Sequence, residues 1–218
     1  MCGRFINLNK IDKLNKIFEI DKLENFNGII SYNISPSQSS IMITNYEFLK
    51  IEKAKWGFKF FDKKNNLEKN IINARLETIN DRILFKESFQ KRKCIIPTNG
   101  YYEWVTKNNI KMPYFIHIFE KQTFYFAGIW KYLNFHKNTL KVFVIITQSA
   151  NNFLNKIHQR MPVTLALDEA KNYLEDRSSN YLTNNFNSKI EKYLDFFKVS
   201  KFVNNPFNNS EQCIKPIN

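Results

Sequence analysis

Cys2 follows the first methionine directly, in the run Met1-Cys2-Gly3-Arg4. Loss of Met1 would leave an α-amine and a thiol on adjacent carbons. Such a 1,2-aminothiol condenses with an aldehyde: the amine forms an imine, the sulfur adds to the imine carbon, and a five-membered thiazolidine results. Both groups titrate close to neutrality, the amine near ~8 and the thiol near ~8.5. Arg4 is expected to favour the thiolate and to attract an anionic substrate. Gly3 lets a bound backbone or sugar come close. Four residues do not carry that chemistry alone, so further groups must converge on it.

Three more stretches offer such groups. Asn73-Ala74-Arg75 sets an amide and a guanidinium two residues apart, on one face if the segment is a strand. Glu103 stands between Tyr102 and Trp104 in an aromatic run, where a desolvated carboxylate suits proton transfer. His158 stands two residues before Arg160 in a segment with little amphipathic pattern, and it titrates in the neutral range. The other cysteines are Cys94 and Cys213, and the other histidines are His117 and His136. Their spacing gives neither a CxxC nor an HxxxH pattern, so no metal, no disulfide framework and no cofactor is expected.

The chain has 218 residues with 43% hydrophobic and 16% aromatic residues, enough for one domain with a real core. It carries 33 Lys+Arg against 20 Asp+Glu, a net charge of +13, with part of the excess concentrated between Lys50 and Lys93. Such a balance favours a polyanion, nucleic acid before anionic membrane. No apolar run is long enough to span a bilayer and the start lacks a signal-like pattern. The expectation is therefore an intracellular chain without a membrane: cytoplasmic, nucleoid-associated in a bacterium or nuclear in a eukaryote.

The elements that must position these groups are mostly strands. Ile11, Leu14, Ile17 and Phe18 recur at helical spacing and predict a helix over Ile11–Ile20. Ile41–Thr44 and Leu49–Phe60 read as strands and Asp62–Asn70 as a surface loop. Ile71–Thr78 leads into a helix reaching Gln90, and Cys94–Pro97 is a buried strand followed by an Asn99-Gly100 turn. Tyr114–Phe119, Phe124–Trp130 and Leu140–Thr147 are strands rich in β-branched and aromatic residues. Leu167–Leu174 reads as a helix with Asp168 near its N-cap. Residues 204–218 read as a loosely ordered, Asn-rich tail after a short strand over Phe197–Val203. Without repeats or a linker, residues 1–218 form one compact α+β domain, β-rich with a few peripheral helices.

Taken in order, the motifs resemble one family. Met1-Cys2-Gly3-Arg4-Phe5, Tyr32-Asn33-Ile34-Ser35-Pro36, Trp56-Gly57, Asn73-Ala74-Arg75-Leu76-Glu77-Thr78, Gly100-Tyr101-Tyr102-Glu103-Trp104, Phe126-Ala127-Gly128-Ile129-Trp130 and His158-Gln159-Arg160-Met161-Pro162 are similar to the SRAP family, the SOS-response-associated peptidases. That resemblance implies a β-rich fold with a basic groove for single-stranded DNA containing abasic sites. It implies a crosslinking enzyme, lyase-like, that removes Met1 by its own peptidase activity and acts as a monomer. Residue by residue it implies catalytic roles for Cys2, Asn73, Glu103 and His158, and a DNA path lined by Arg4, Asn33, Arg75, Trp104 and Arg160. There are departures: Phe58-Lys59-Phe60-Phe61-Asp62 replaces a proline-containing segment, leaving an aromatic wedge open between Phe60 and Phe61. Ile83, with Arg82 beside it, stands where a basic residue is usual. The rivals to this reading are a cysteine peptidase acting in trans and a non-covalent single-stranded-DNA-binding module.

Overall fold

The computed structural model describes residues 2–20, 29–62, 64–135, 138–183 and 186–217; Met1 lies outside them. The first half of the chain forms β1 (Arg4–Asn7), α1 (Ile11–Phe18), β2 (Ser31–Ile34), β3 (Ser39–Asn45), β4 (Leu49–Trp56), β5 (Phe58–Asp62), β6 (Leu67–Ile71), β7 (Asn73–Arg75), α2 (Ile83–Lys91) and β8 (Lys93–Thr98). The second half adds β9 (Gly100–Lys107), β10 (Ile110–His117), β11 (Phe124–Phe135) and β12 (Asn138–Ser149). It ends with β13 (Arg160–Pro162), β14 (Thr164–Leu165), α3 (Leu167–Glu175) and β15 (Asp195–Lys198).

The strands make two main sheets. One runs β15-β10-β9-β1-β2, and all its pairs are antiparallel. In the other, β12-β4-β3-β8-β11 closes on itself, because β11 also pairs with β12. Closure removes the free edges of these five strands. Beside the ring, β7 runs parallel to β12 and sets Asn73 opposite Ile145. Alternate residues of the ring strands feed two cores. Ile41, Ile43, Ile51, Val142 and Val144 pack with Leu14 and Phe18 of α1, Phe85 and Phe89 of α2, and Tyr173 of α3. Met42, Trp56, Phe126, Trp130, Phe143 and Ile145 pack instead with Phe5 and Cys2. No helix among the described residues is long and apolar enough to cross a membrane.

The helix expected at Ile11–Ile20 forms and buries Leu14 and Phe18. It stops where Glu19 turns left-handed at φ 56. The single strand expected over Leu49–Phe60 is two strands, broken at Gly57. Gly57 has φ +123, and a Cβ there would meet Asn70 Oδ1 at 2.0 Å. The loop expected over Asp62–Asn70 is largely the return strand of the β5–β6 hairpin, pairing Phe58 with Ile71 through Asp62 with Leu67. Its exposed, polar residues masked a strand whose partner lies on one side only. Asn99-Gly100 is a corner rather than a hairpin turn: β8 ends in one sheet and β9 begins in the other. The N-cap of α3 is Ala166, whose N–H donates to Glu169 Oε2 at 2.8 Å, so Glu169 and not Asp168 closes that end.

The tail is a correction. Residues 204–217 are not a loose end: Cys213 and Ile214 are buried with Ile6, Tyr102, Phe115, Val199 and Val203 in a third core. Asn209 Oδ1 accepts from the Tyr32 N–H at 2.7 Å and the Ser31 hydroxyl at 3.1 Å. An asparagine-rich composition reads as loop because local pattern cannot show amides that bond residues far away in sequence.

Candidate active site

The site begins with β1. Phe5 inserts edge-on against Trp56 and Phe126, with ring centroids 5.1 and 5.8 Å away. Such pairs contribute about 0.5–1.5 kcal/mol each beyond burial, and they fix the start of the strand. Arg4 pairs in register with Tyr102, and the residues before and after that pair, Gly3 and Glu103, line one groove. Cys2 is then fully buried, and its carbonyl accepts a hydrogen bond from Asn73 Nδ2 at 2.9 Å. Asn73 Oδ1 is buried without a hydrogen-bond partner among the described residues.

Burial and the neighbouring Glu103 carboxylate push the Cys2 thiol well above its usual range, against a smaller opposing pull from the Arg4 backbone N–H. The thiol is therefore neutral at physiological pH, contrary to the expectation that Arg4 favours a thiolate. The Arg4 side chain turns away: Nη1 donates to Asn33 Oδ1 at 2.7 Å and to the Val203 carbonyl at 2.8 Å, and the guanidinium lies 5.8 Å from the centre of the Trp104 ring. Tyr101 is buried beside the same groups, and burial, Cys2 and Glu103 all raise its phenol.

Glu103 is 6% exposed and, with Gly3, Arg4, Trp104 and His158, lines a groove of about 580 Å³ that Lys111 and Asn204 extend. His158 Nδ1 accepts from the Arg160 N–H at 2.9 Å and lies 3.2 Å from the Arg160 carbonyl, so the backbone of residue 160 sets the ring's orientation. A second depression of about 410 Å³ opens on the other side of Asn73, lined by Arg75, Arg82, Ile83 and Phe60. Arg75 is exposed on β7. Phe60 is 43% and Phe61 53% exposed, and Phe60 is the one that lines the depression.

Cys2, Asn73, Glu103 and His158 thus come together, with Arg4 and Trp104 at one side and Arg75 at the other. Asn33 and Arg160 join them differently. Asn33 is buried and its amide serves Arg4 and the C-terminal segment. Arg160 is held in a fork by Glu77, at 2.5 and 2.9 Å, and also donates to the Thr147 carbonyl at 2.8 Å. That arginine holds β13 against the turn after β7 and so sets the ring of His158. Glu77, Lys111 and Asn204 were not singled out in the sequence. Glu77 stood inside a motif, but its partner is 83 positions away. Lys111 had only its charge to mark it, and Asn204 nothing. Among the described residues, no group of three or more His, Cys, Asp or Glu side chains is arranged to hold a metal ion.

Comparison with known proteins agrees with this geometry. The abasic site processing protein YoaM of Bacillus subtilis (strain 168) is 33% identical over 221 residues, covering 98% of this chain and 97% of that protein. The abasic site processing protein YedK of Escherichia coli (strain K12) is 25% identical and aligns over the full length of both. A crystal structure of a Bacteroides thetaiotaomicron protein superposes with a TM-score of 0.77 at 20% identity, covering 99% of this chain and all of that one. Residues 1–206 match the family described as SOS response associated peptidase (SRAP), and the chain belongs to that family.

Proposed function

We propose that this protein processes abasic sites in DNA by linking its N-terminal cysteine to the sugar aldehyde. The observation that carries the reading is the convergence on residue 2: a buried thiol beside Glu103, a main chain held by Asn73 Nδ2, and His158 on the same groove. The names of the relatives at 33% and 25% identity support the same substrate class.

In this reading the amine acts first and the thiol second. Once Met1 is removed, the α-amine of Cys2 attacks the aldehyde carbon of the ring-opened deoxyribose, and water leaves with the aldehyde oxygen. The thiol then adds across the resulting C=N bond. Its sulfur bonds to carbon, and its proton passes through a nearby base to the ring nitrogen. Glu103, close enough to raise the thiol, is positioned for that transfer and for protonating the ring oxygen in the earlier opening step. Asn73 Oδ1 is free to accept from the new ring N–H. His158, its ring oriented by the backbone of residue 160, lines the groove as a proton shuttle. The same groups serve autoproteolytic removal of Met1, and an imine at that carbon gives access to β-elimination, a lyase side activity.

An abasic nucleotide in a single strand has no base to unstack, so its sugar reaches the buried thiol at little cost. The net charge of +13 and the aromatic and basic rim support single-stranded DNA as the partner, bound by a monomer through its phosphates. Intact-mass measurement after mixing with abasic single-stranded DNA tests this. The expected species is the protein lacking Met1 plus the DNA less one water, absent in Cys2→Ala. A DNA adduct that persists in Cys2→Ala removes the reading.

A further inference from the structure

The C-terminal segment is built into the groove. Asn33 Nδ2 lies 3.2, 3.0 and 2.7 Å from the carbonyls of Val203, Asn205 and Asn208, while Asn33 Oδ1 accepts from Arg4. Asn208 Nδ2 donates to the Phe202 carbonyl at 2.7 Å, folding the segment on itself. This clasp presents Asn204 at the groove beside Trp104. Trp104 Nε1 donates to Asn204 Oδ1 at 2.8 Å. An indole N–H can only donate, so it fixes the orientation of the amide: Oδ1 faces Trp104 and Nδ2, with its two donors, is left for the groove.

We propose that Asn204 is a DNA-contacting residue, its Nδ2 donating to an acceptor on the bound strand, and that Asn33 positions it. The inference rests on the reading of the groove as a DNA site. It adds that residues 203–208 form one of the groove's walls. The donor has a fixed direction, supplied by Trp104, and a phosphate oxygen is the acceptor that a single strand presents regardless of sequence.

Affinity for undamaged single-stranded DNA separates contact from support. Asn204→Ala is expected to weaken binding about tenfold, the scale of one hydrogen bond to a charged group. Asn204→Asp keeps an acceptor for Trp104 but faces the strand with a carboxylate, so it should weaken binding more than Ala does. Asn205→Asp adds the same charge one residue along and keeps the acceptor that Asn205 offers to the Phe207 N–H, so it should cost less than threefold. Acrylamide quenching monitors the ring directly, because Trp56 and Trp130 are buried and Trp104 is the partly exposed tryptophan. Quenching of Asn204→Asp should match wild type. If Asn204→Asp binds like wild type, Asn204 only supports Trp104 and the proposal is overturned. Equal losses in the two Asp variants would assign the effect to charge alone and overturn it as well. A wild-type protein that neither binds nor crosslinks DNA would remove the reading of the groove itself, a result recognisable before any variant is made.

Discussion

The floor of the groove and the arginines beyond it are built on opposite terms. Cys2 and Glu103, on the floor, are removed from water, and burial together with the Glu103 carboxylate raises the Cys2 thiol. Away from that floor stand two arginines on opposite edges of β12, Arg75 at the second depression and Arg160 on β13, and they differ from each other. Arg75, paired in register with Thr147, is exposed. Arg160, on the opposite edge, has its guanidinium taken up by Glu77 and by the Thr147 carbonyl. Two residues of one type in two adjacent motifs are thus a cation open to solvent and a strut. Chemistry, affinity and support fall on different residues, and each can be broken separately.

The largest effect is expected on the floor. Glu103→Gln should slow crosslinking to a natural abasic site by roughly 10²–10⁴, the usual worth of acid–base assistance, while affinity for undamaged strand stays unchanged. A substrate already held as an open aldehyde should shrink that defect. Parallel loss of affinity and rate would erase the distinction between the floor and the arginines beyond it.

Next comes the strut. Arg160→Ala leaves the Glu77 carboxylate without its fork and should destabilise the fold by about 2 kcal/mol, seen as a fall of several degrees in Tm. The exposed cation should behave otherwise. Arg75→Ala should leave Tm unchanged, weaken binding of single-stranded DNA about tenfold and reduce the salt slope by about 1. An Arg75 variant with a lowered Tm and an unchanged salt slope would make the two arginines equivalent.

The smallest effect belongs to the buried thiol. Its folded value lies above the unfolded one, so between roughly pH 8 and 9 the unfolded chain releases a proton that the folded chain keeps, and stability falls as pH rises. The share from Cys2 is less than about 1 kcal/mol over that unit of pH, and Cys2→Ala should remove it. Urea titrations of both proteins at the two pH values measure the difference. A gain in stability with rising pH would mean the thiol ionises more readily inside than outside.

These terms were unequally visible in the sequence. The strands of the ring announced themselves through β-branched and aromatic runs, and Cys2, Asn73, Glu103 and His158 through their side-chain chemistry and the resemblance of the motifs that carry them to one family. What stayed hidden depended on distant partners. Nothing near Arg4 reveals that its side chain leaves Cys2 for Asn33 and Val203, and nothing near Arg160 points to Glu77. The β6 strand was read as loop because its exposed residues lack a buried face. The C-terminal asparagines were read as loose for the same reason that makes them effective here: their amides have no local partner and are satisfied across the fold.

The bond from Arg4 to Val203 spans 199 positions. On the ribosome, then, Cys2 is made long before the wall beside it. Contacts of such separation form late in folding, after shorter loops have closed. On the proposed reading, a chain not yet extended to Val203 still holds Cys2 behind Met1 with no groove around it, so both the removal of Met1 and the aminothiol it frees wait for the segment around Val203 to dock. Chains arrested before Val203 are then expected to keep Met1 and leave aldehydes untouched, and release to start both reactions together.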